Sequence, residues 1–451
     1  MFKKLLSLVA IATILFGANE SNLEPAEVSA SEVEMQNSLS DSSSQDEDSQ
    51  SIDQFFDDFS NAQNIEYGET KNGRTFYNAK ATTLVGASDA DFAKSLVNAY
   101  NKALLELQAK YIRDSFGRQA TETLRKNFTD NSTNAKEFEK LPPESAFSQL
   151  LSKVSTLAGA KLDDMLSKLG VDVEKGISKE RKKVLLAENL VKNIKTTAMG
   201  EISGLVPIQT AVVKNGSTYD IGIIAVMSEK TVQIARDMKF KRNSLIKGKG
   251  KKIAEFLPTT KEGFLDEFGI RLVYDENGSP VILSYGRWGY LKNSSDEYIN
   301  KRQKDIAQET ASQNADAAIG EFISLSLSFQ ENKKTGEEME HAITQLITNE
   351  STKESENVAR NIIDQTTKEI RANSNLTLKG IRTLKRWSVV DKNGIEHVGV
   401  VRFYSYANVK NTNEIIDIQS GKKSSQTAKQ EVKKSNDVSN KSKMVNDIDD
   451  F

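Results

Sequence analysis

Tyr219-Asp-Ile-Gly-Ile-Ile-Ala-Val226 and Glu396-His-Val-Gly-Val-Val-Arg-Phe403 are two versions of one strand, each with its glycine in the fourth place. Each follows an Asn-Gly pair, Asn215-Gly216 and Asn393-Gly394. Asn-Gly between β-rich runs predicts a hairpin, because both residues accept the positive φ of a type I′ turn. The run before each turn opens on a glycine, so a two-strand pattern recurs from Gly204 to Met227 and from Gly380 to Tyr404. Overlaying the two brings Gly222 onto Gly399. A glycine inside a strand marks a bulge or the close approach of another backbone, so a helix is expected against both points.

Upstream of each hairpin the correspondence continues. Asn72-Gly73 precedes a strand-like run from Arg74 to Val85, and Asn277-Gly278 precedes one from Val281 to Leu291. A helical stripe follows in both: Phe92, Leu96, Ala99, Tyr100, Ala103, Leu104 and Leu107 in the first, Ile306, Ala307, Ala311, Ala315, Ala318, Ile319 and Phe322 in the second. Ser88 is the expected N-cap of the first, with Asp91 at the capping-box position. Longer helical stretches come next, through Leu150 to Ala198 in one copy and from Met339 to Ile370 in the other. The duplication predicts an α+β fold of two repeated units, each a small antiparallel sheet packed on long helices, with disordered termini. The expected organisation is a signal peptide (1–18), an acidic disordered arm (19–65), a first repeat with a helical insertion (66–235), a basic link (236–268), a second repeat (269–410) and a disordered polar tail (411–451).

The first of these segments is an address. Met1-Phe2-Lys3-Lys4 followed by the apolar run Leu5 to Phe16 has the layout of a secretory signal, too short to span a bilayer. Export predicts a periplasmic or secreted protein. With Cys 0 there is neither a disulfide nor a thiol for lipidation. No later run approaches a transmembrane helix, so no transmembrane segment is expected in the mature chain.

Charge is segregated along the 451 residues. The totals, 61 Lys+Arg and 63 Asp+Glu, give a net charge of −2. Setting aside Lys3, Lys4 and the 14 acidic residues between Glu20 and Glu69 leaves 59 basic and 49 acidic side chains, a net of +10 from residue 71 onward. The polar, self-repelling stretch Asn37 to Gln50 cannot bury enough to offset its ordering entropy. The two acidic-aromatic clusters, Asp53 to Phe59 and Asp447 to Phe451, read as patterns in solvated tails. Lys239, Lys241, Arg242, Lys247, Lys249, Lys251 and Lys252 form a run of seven cations with no acid between them. Its spacing does not fit a phosphate-binding loop. It reads as a solvated loop, or as a contact for an anionic cell-wall or lipid polymer or for the chain's own acidic arm. Nucleic acid is not an expected partner of an exported chain. Beyond it, Gly269 to Trp288 reads as a hairpin; Arg287-Trp288 admits an exposed contact pair, although Trp288 in a strand fits a core better.

Reactive constellations do not emerge. There is no His-Glu-x-x-His helix, Gly-x-Ser-x-Gly elbow, Gly-x-Gly-x-x-Gly fingerprint or EF-hand loop, and no cofactor or metal is implied. Asp275-Glu-Asn-Gly278 is better explained by a β-turn than by a calcium loop. The carboxylate pairs Asp163-Asp164 and Glu337-Glu338 fit solvated helix faces, and a hydrolase is the least favoured reading.

The order of strand, alanine-rich helix, longer helix, glycine-led strand and a hairpin ending in Ile-Gly-Ile-Ile-Ala-Val or Val-Gly-Val-Val-Arg-Phe resembles the LPP20 family, envelope lipoproteins related to the N-terminal domain of the flagellar assembly protein FlgT. The whole chain also resembles the domain of unknown function 6844. The LPP20 resemblance implies a structural or assembly role in a Gram-negative envelope, with envelope, periplasmic or flagellar proteins as partners, and offers no catalytic residues. The missing lipidation cysteine departs from that pattern. The expected function is therefore a noncatalytic periplasmic interaction module, the alternative being a polymer-binding module acting through the basic link.

Overall fold

The computed structural model describes residues 51–128, 141–171, 176–292, 295–324, 361–362, 380–391 and 394–419. The signal segment, the stretch Asn37 to Gln50, most of the second long helical region, Glu337-Glu338 and the tail beyond residue 419 lie outside the described residues. The described chain is α+β, with two four-stranded antiparallel sheets and long helices laid on them.

The first unit runs α1 (Ile52–Gln63), β1 (Thr70–Lys71), β2 (Arg74–Thr82), α2 (Phe92–Phe128), α3 (Pro143–Thr156), α4 (Ala160–Lys168), α5 (Lys179–Ile202), β3 (Val206–Asn215), β4 (Thr218–Ser228) and α6 (Glu229–Lys239). Two 3₁₀ turns, Ile253–Phe256 and Glu262–Leu265, lead into the second: β5 (Gly269–Tyr274), β6 (Pro280–Leu291), α7 (Glu297–Ser324), β7 (Ile381–Val390), β8 (Ile395–Ser405) and α8 (Tyr406–Gln419). Strand order is β1-β2-β4-β3 in one sheet and β5-β6-β8-β7 in the other, the same topology twice.

The repetition extends to individual contacts. Gly222 pairs with Lys80 and Ala211; Gly399 pairs with Arg287 and Trp387. Counting from these glycines, the irregularity that skips Ile208 in β3 falls on the one that skips Leu384 in β7. Such bulges bend a strand and fix its register. Each fourth strand ends on a serine whose Oγ accepts a backbone N–H of the following helix: Ser228 from Thr231 N and Ser405 from Asn408 N, both at 3.2 Å. Four residues beyond each serine stands a valine. A Cβ on Gly204 would lie 2.8 Å from Val232 N and Cα, and one on Gly380 would lie 3.1 Å from Val409 N and Cα. The two opening glycines therefore do one job, letting the third strand start against the backbone of the helix that follows the fourth.

In the first unit α2 to α5 cover one sheet face, burying Tyr77, Ala79 and Ala81 of β2 and Ile221, Ile223 and Ala225 of β4. The other face joins a core shared by both units, in which Val206, Ile208, Ile224 and Val226 meet Ile270, Leu272, Ile282 and Tyr404 of the second sheet. Tyr100 of α2 stacks on Phe268 at 5.4 Å between centroids, and Gln108 Nε2 donates to part-buried Glu321 at 2.6 Å.

Several expectations are corrected. Residues 52–63, placed in the acidic arm, are a helix: Ser51 caps it, and Ile52, Phe55 and Phe56 are buried on the Gly222 face. Alternating acids with aromatics gave this helix one apolar stripe and one charged one. The first long helix begins at Phe92 and not after Ser88, because Asp89 Oδ1 accepts from Asp91 N and holds a turn before it. In the β3–β4 hairpin Asn215 pairs as a strand residue and the two-residue turn is Gly216-Ser217, with positive φ at the glycine alone; that fits a type II′ turn. Asn72-Gly73, with positive φ at both residues, has the type I′ form.

Candidate functional site

Two places on the fold gather polar chemistry. The first is the polar clasp of each closing hairpin. In the first unit Asn215 Nδ2 donates to Asp220 at 2.9 Å, and Thr82 Oγ1 to the same carboxylate at 2.6 Å. The corresponding residues of the second unit are Asp391, His397 and, two register places away on the neighbouring strand, Arg287. His397 has both ring nitrogens engaged, Nε2 3.0 Å from Asp391 Oδ2 and Nδ1 3.1 Å from Arg287 Nη2. Arg287 also donates to the Leu265 carbonyl, and its guanidinium sits 4.3 Å from the Phe268 ring centre.

The cluster is almost dry, with Arg287 3% and His397 2% exposed. Burial, then the Arg287 charge, depress His397 to about 4, against the pull of Asp391. Burial lowers Arg287 to about 10 and raises the nearby Asp266 to about 6, in each case opposed by the attraction between the two groups. Arg287 is thus no exposed contact. Trp288 faces the other way, half-buried with Tyr290, Ala307 and Val398 under α7. Where a helix was expected against Gly399 there is instead the Trp387 ring, which fills the space a Cβ would take and stacks on Phe264.

Beside this cluster Glu396 accepts from Lys304 Nζ at 2.6 Å, Tyr290 Oη at 2.7 Å and Ser388 Oγ. Burial pushes its carboxyl up, but the three donors outweigh burial and hold it below the usual carboxylate range. A serine nucleophile needs a neighbouring base free to take its proton. Here Ser388 gives its hydrogen to a weakened base, and the Lys304 ammonium is committed to the same carboxylate. The group is a brace between α7 and the β7–β8 hairpin. Asp163 and Asp164, also considered as a carboxylate pair, are split between Lys182 and Lys168 on the surface, each at 2.7 Å.

The second place is the basic link. Five of its seven cations are exposed along the path from the end of α6 to the β5–β6 turn, with Lys239, at the helix end, and Lys251 part-buried. Lys239 and Arg242 flank the Phe240 ring at 5.3 and 5.1 Å, and Arg242 reaches Asp237 at 3.3 Å. Lys247 Nζ donates to Ser279 Oγ at 2.7 Å, and Lys251 lies 4.6 Å over Phe256. Lys249 and Lys252 continue along the same path. Burial, with the charge of Arg236 second, holds Lys239 below the usual lysine range. Phe240 and Leu245 stand among these cations at 58% and 94% exposure. Neither was singled out from sequence; the apolar residues Phe240, Leu245 and Ile246 interrupting an otherwise polar cationic run were the available signal. Among the described residues no helix is long and apolar enough to cross a membrane, and no group of three or more His, Asp and Glu could hold a metal ion.

Comparison with known proteins gives little beyond this. A family described as a domain of unknown function (DUF6844) matches residues 147–240, from α3 to the first residue after α6. No curated protein matches the chain. A solved structure of a hypothetical protein from Francisella tularensis aligns over 80% of this chain and 93% of its own, at 20% identity and a TM-score of 0.47.

Proposed function

We propose that the chain is a noncatalytic module of the cell envelope that works by holding another protein, with the outer edge of β7 as its contact strand. The observation that carries this reading is the state of that edge. Among the described residues β7 is paired on one side only, and it presents ten residues, with Arg382, Lys385 and Arg386 exposed. An open strand edge is a template for a further strand; cations along it repel a second copy and admit an acidic segment. The chemistry-bearing side chains nearby support the noncatalytic half of the proposal, since His397 is spent on Asp391 and Arg287, and Ser388, Lys304 and Glu396 are spent on one another. The signal-like segment 1–18 supports placement outside the cytoplasm, and the spacing resemblance to the LPP20 family directs the search toward envelope and flagellar assembly proteins.

The test is cross-linking in envelope fractions from a photoreactive residue at position 390 of the full chain, the exposed end of β7 that leaves Arg382 and Arg386 in place. A reproducible adduct that disappears in R382E/R386E, with folding intact, is expected. No reproducible adduct, or one indifferent to that double substitution, ends the proposal.

A further inference from the structure

Helix α6 ends in an unusual way. Its last carbonyls are closed by Arg242 N to Asp237 O at 2.8 Å and Lys241 N to Met238 O at 3.0 Å, the paired bonds that require a left-handed residue just past the helix. Glycine normally takes that place, and asparagine tolerates it. Here it is Lys241, at φ 52°; the other non-glycine residues of positive φ among the described ones are Asn64 and Asn72. The backbone accepts strain to keep a cation at this corner.

The rest of the loop is held as firmly. Ser244 is buried, its Oγ accepting from Ile246 N at 3.2 Å, and Ile246 packs into the core shared by the two units. Leu245 lies between these two anchors and so is fixed outward. Beyond it, Gly248 N donates to Gly278 O at 3.0 Å and Lys251 N to Tyr274 O at 3.3 Å, fastening the chain along the β5–β6 turn. Isolated surface hydrophobics are ordinary. Two of them in one tethered loop, interleaved with six cations and turned by a strained lysine, make a surface of definite chemistry.

From this geometry we infer that the 240–252 loop docks on an anionic lipid bilayer, with Phe240 and Leu245 entering the headgroup boundary and the lysines meeting the lipid charge. A protein interface of ordinary strength needs a contiguous apolar centre of several residues. Single apolar side chains separated by cations instead suit a bilayer surface, where each inserts alone and each nearby cation adds attraction. This inference does not rest on the β7 edge, and its test reads a different surface.

The experiment is co-sedimentation of the full chain with vesicles of phosphatidylcholine alone and of phosphatidylcholine with phosphatidylglycerol. Preference for the anionic vesicles, weakening with salt, is expected. K241G relieves the left-handed strain, so it should melt no lower than the parent yet bind anionic vesicles about fivefold less tightly. L245S leaves folding unchanged and should weaken binding by about tenfold, with the loss persisting at high salt. Equal binding to both vesicles overturns the inference, as does an L245S protein that binds as the parent does. K241G binding at full strength shows that the strained lysine has another cause and also counts against it.

Discussion

Lys80 and Arg287 occupy one register position, each opposite the strand glycine of its sheet, yet one is a surface lysine and the other a buried arginine. The cause lies in what precedes each sheet. In the first unit the covering segment is the helix α1, whose Ile52 and Phe56 fill the space beside Gly222 and whose Asp53 meets Lys80 at the rim. In the second unit the two 3₁₀ turns lie over that face, and Trp387 takes the space beside Gly399. The arginine is thereby roofed by Leu265 and Phe268. One topology thus carries two kinds of face, decided by the segment before its first strand.

The largest effect expected from this contrast is at Arg287. Arg287→Ala leaves Asp391 and His397 dry without their cation, and breaking a buried charge network of this kind costs about 3 kcal/mol or more. Denaturant unfolding would show the loss. A cost under about 1 kcal/mol would mean that water reaches the cluster, and that the two faces differ less than their burial implies.

The opposite faces differ as well. Ala79 of β2 and Gly286 of β6 correspond, but a Cβ at Gly286 would run into the Ala311 carbonyl of α7. Ser284 Oγ donates to the Ala315 carbonyl at 2.8 Å, so α7 lies directly on its strand. In the first unit Tyr77 stands where Ser284 does and reaches the Asp114 and Arg118 side chains of α2. Gly286→Ala should therefore destabilise by about 1–3 kcal/mol through overpacking. Ala79→Gly should cost about 1 kcal/mol, for strand entropy and a lost methyl. Equal costs would show that α2 and α7 approach their sheets alike.

A third test uses titration, since the first unit has Asp220 where the second has His397. Between pH 6.5 and about 4 the unfolded chain takes up an imidazole proton that the buried His397 refuses, so this contribution to stability is lost as pH falls. Asp266 acts in the reverse sense. Between 3.8 and about 6 its folded carboxyl keeps a proton the unfolded chain has released, so that contribution is lost as pH rises. The two slopes oppose one another in the parent. Asp266→Asn should leave stability climbing from about pH 4 to 6.5, and His397→Asn should leave it falling from about pH 4 to 6. Melting temperature against pH reads both, and a slope of the wrong sign in either variant would remove that group from the balance.

Much of this architecture was legible in the residues. The overlay of Gly204 on Gly380 is a statement about backbone approach, and the structure repeats that approach; Gly222 and Gly399 share a register position, but side chains, not a second backbone, fill the space beside both. The covering segments were not legible, because a cover is defined by what it lies on. Asp53 to Phe59 has the composition of a solvated tail and becomes a core helix only because Gly222 leaves room for Phe56. Arg287 was hidden for the same reason: nothing near it in sequence announces that residues 253–268 fold back over it. The candidate docking loop was half visible. Its cations stood out as a run, while the orientation of Leu245 depends on Ser244 being buried and on Ile246 packing into a core built from elements far along the chain.

The smallest expected effect is at Lys80. Lys80 and Asp53 have side chains 45% and 64% exposed, so solvent screens their attraction and side-chain entropy offsets most of the remainder. Lys80→Ala should cost under about 1 kcal/mol in low salt, with the difference shrinking as salt is added. Its value as a test is that it sits in register with Arg287. If α1 is held by Ile52, Phe55 and Phe56, removing the lysine leaves protease sensitivity at residues 52–63 unchanged. If the ion pair is what fastens α1, the same substitution opens that segment to cleavage, and the first face, like the second, would depend on a charge.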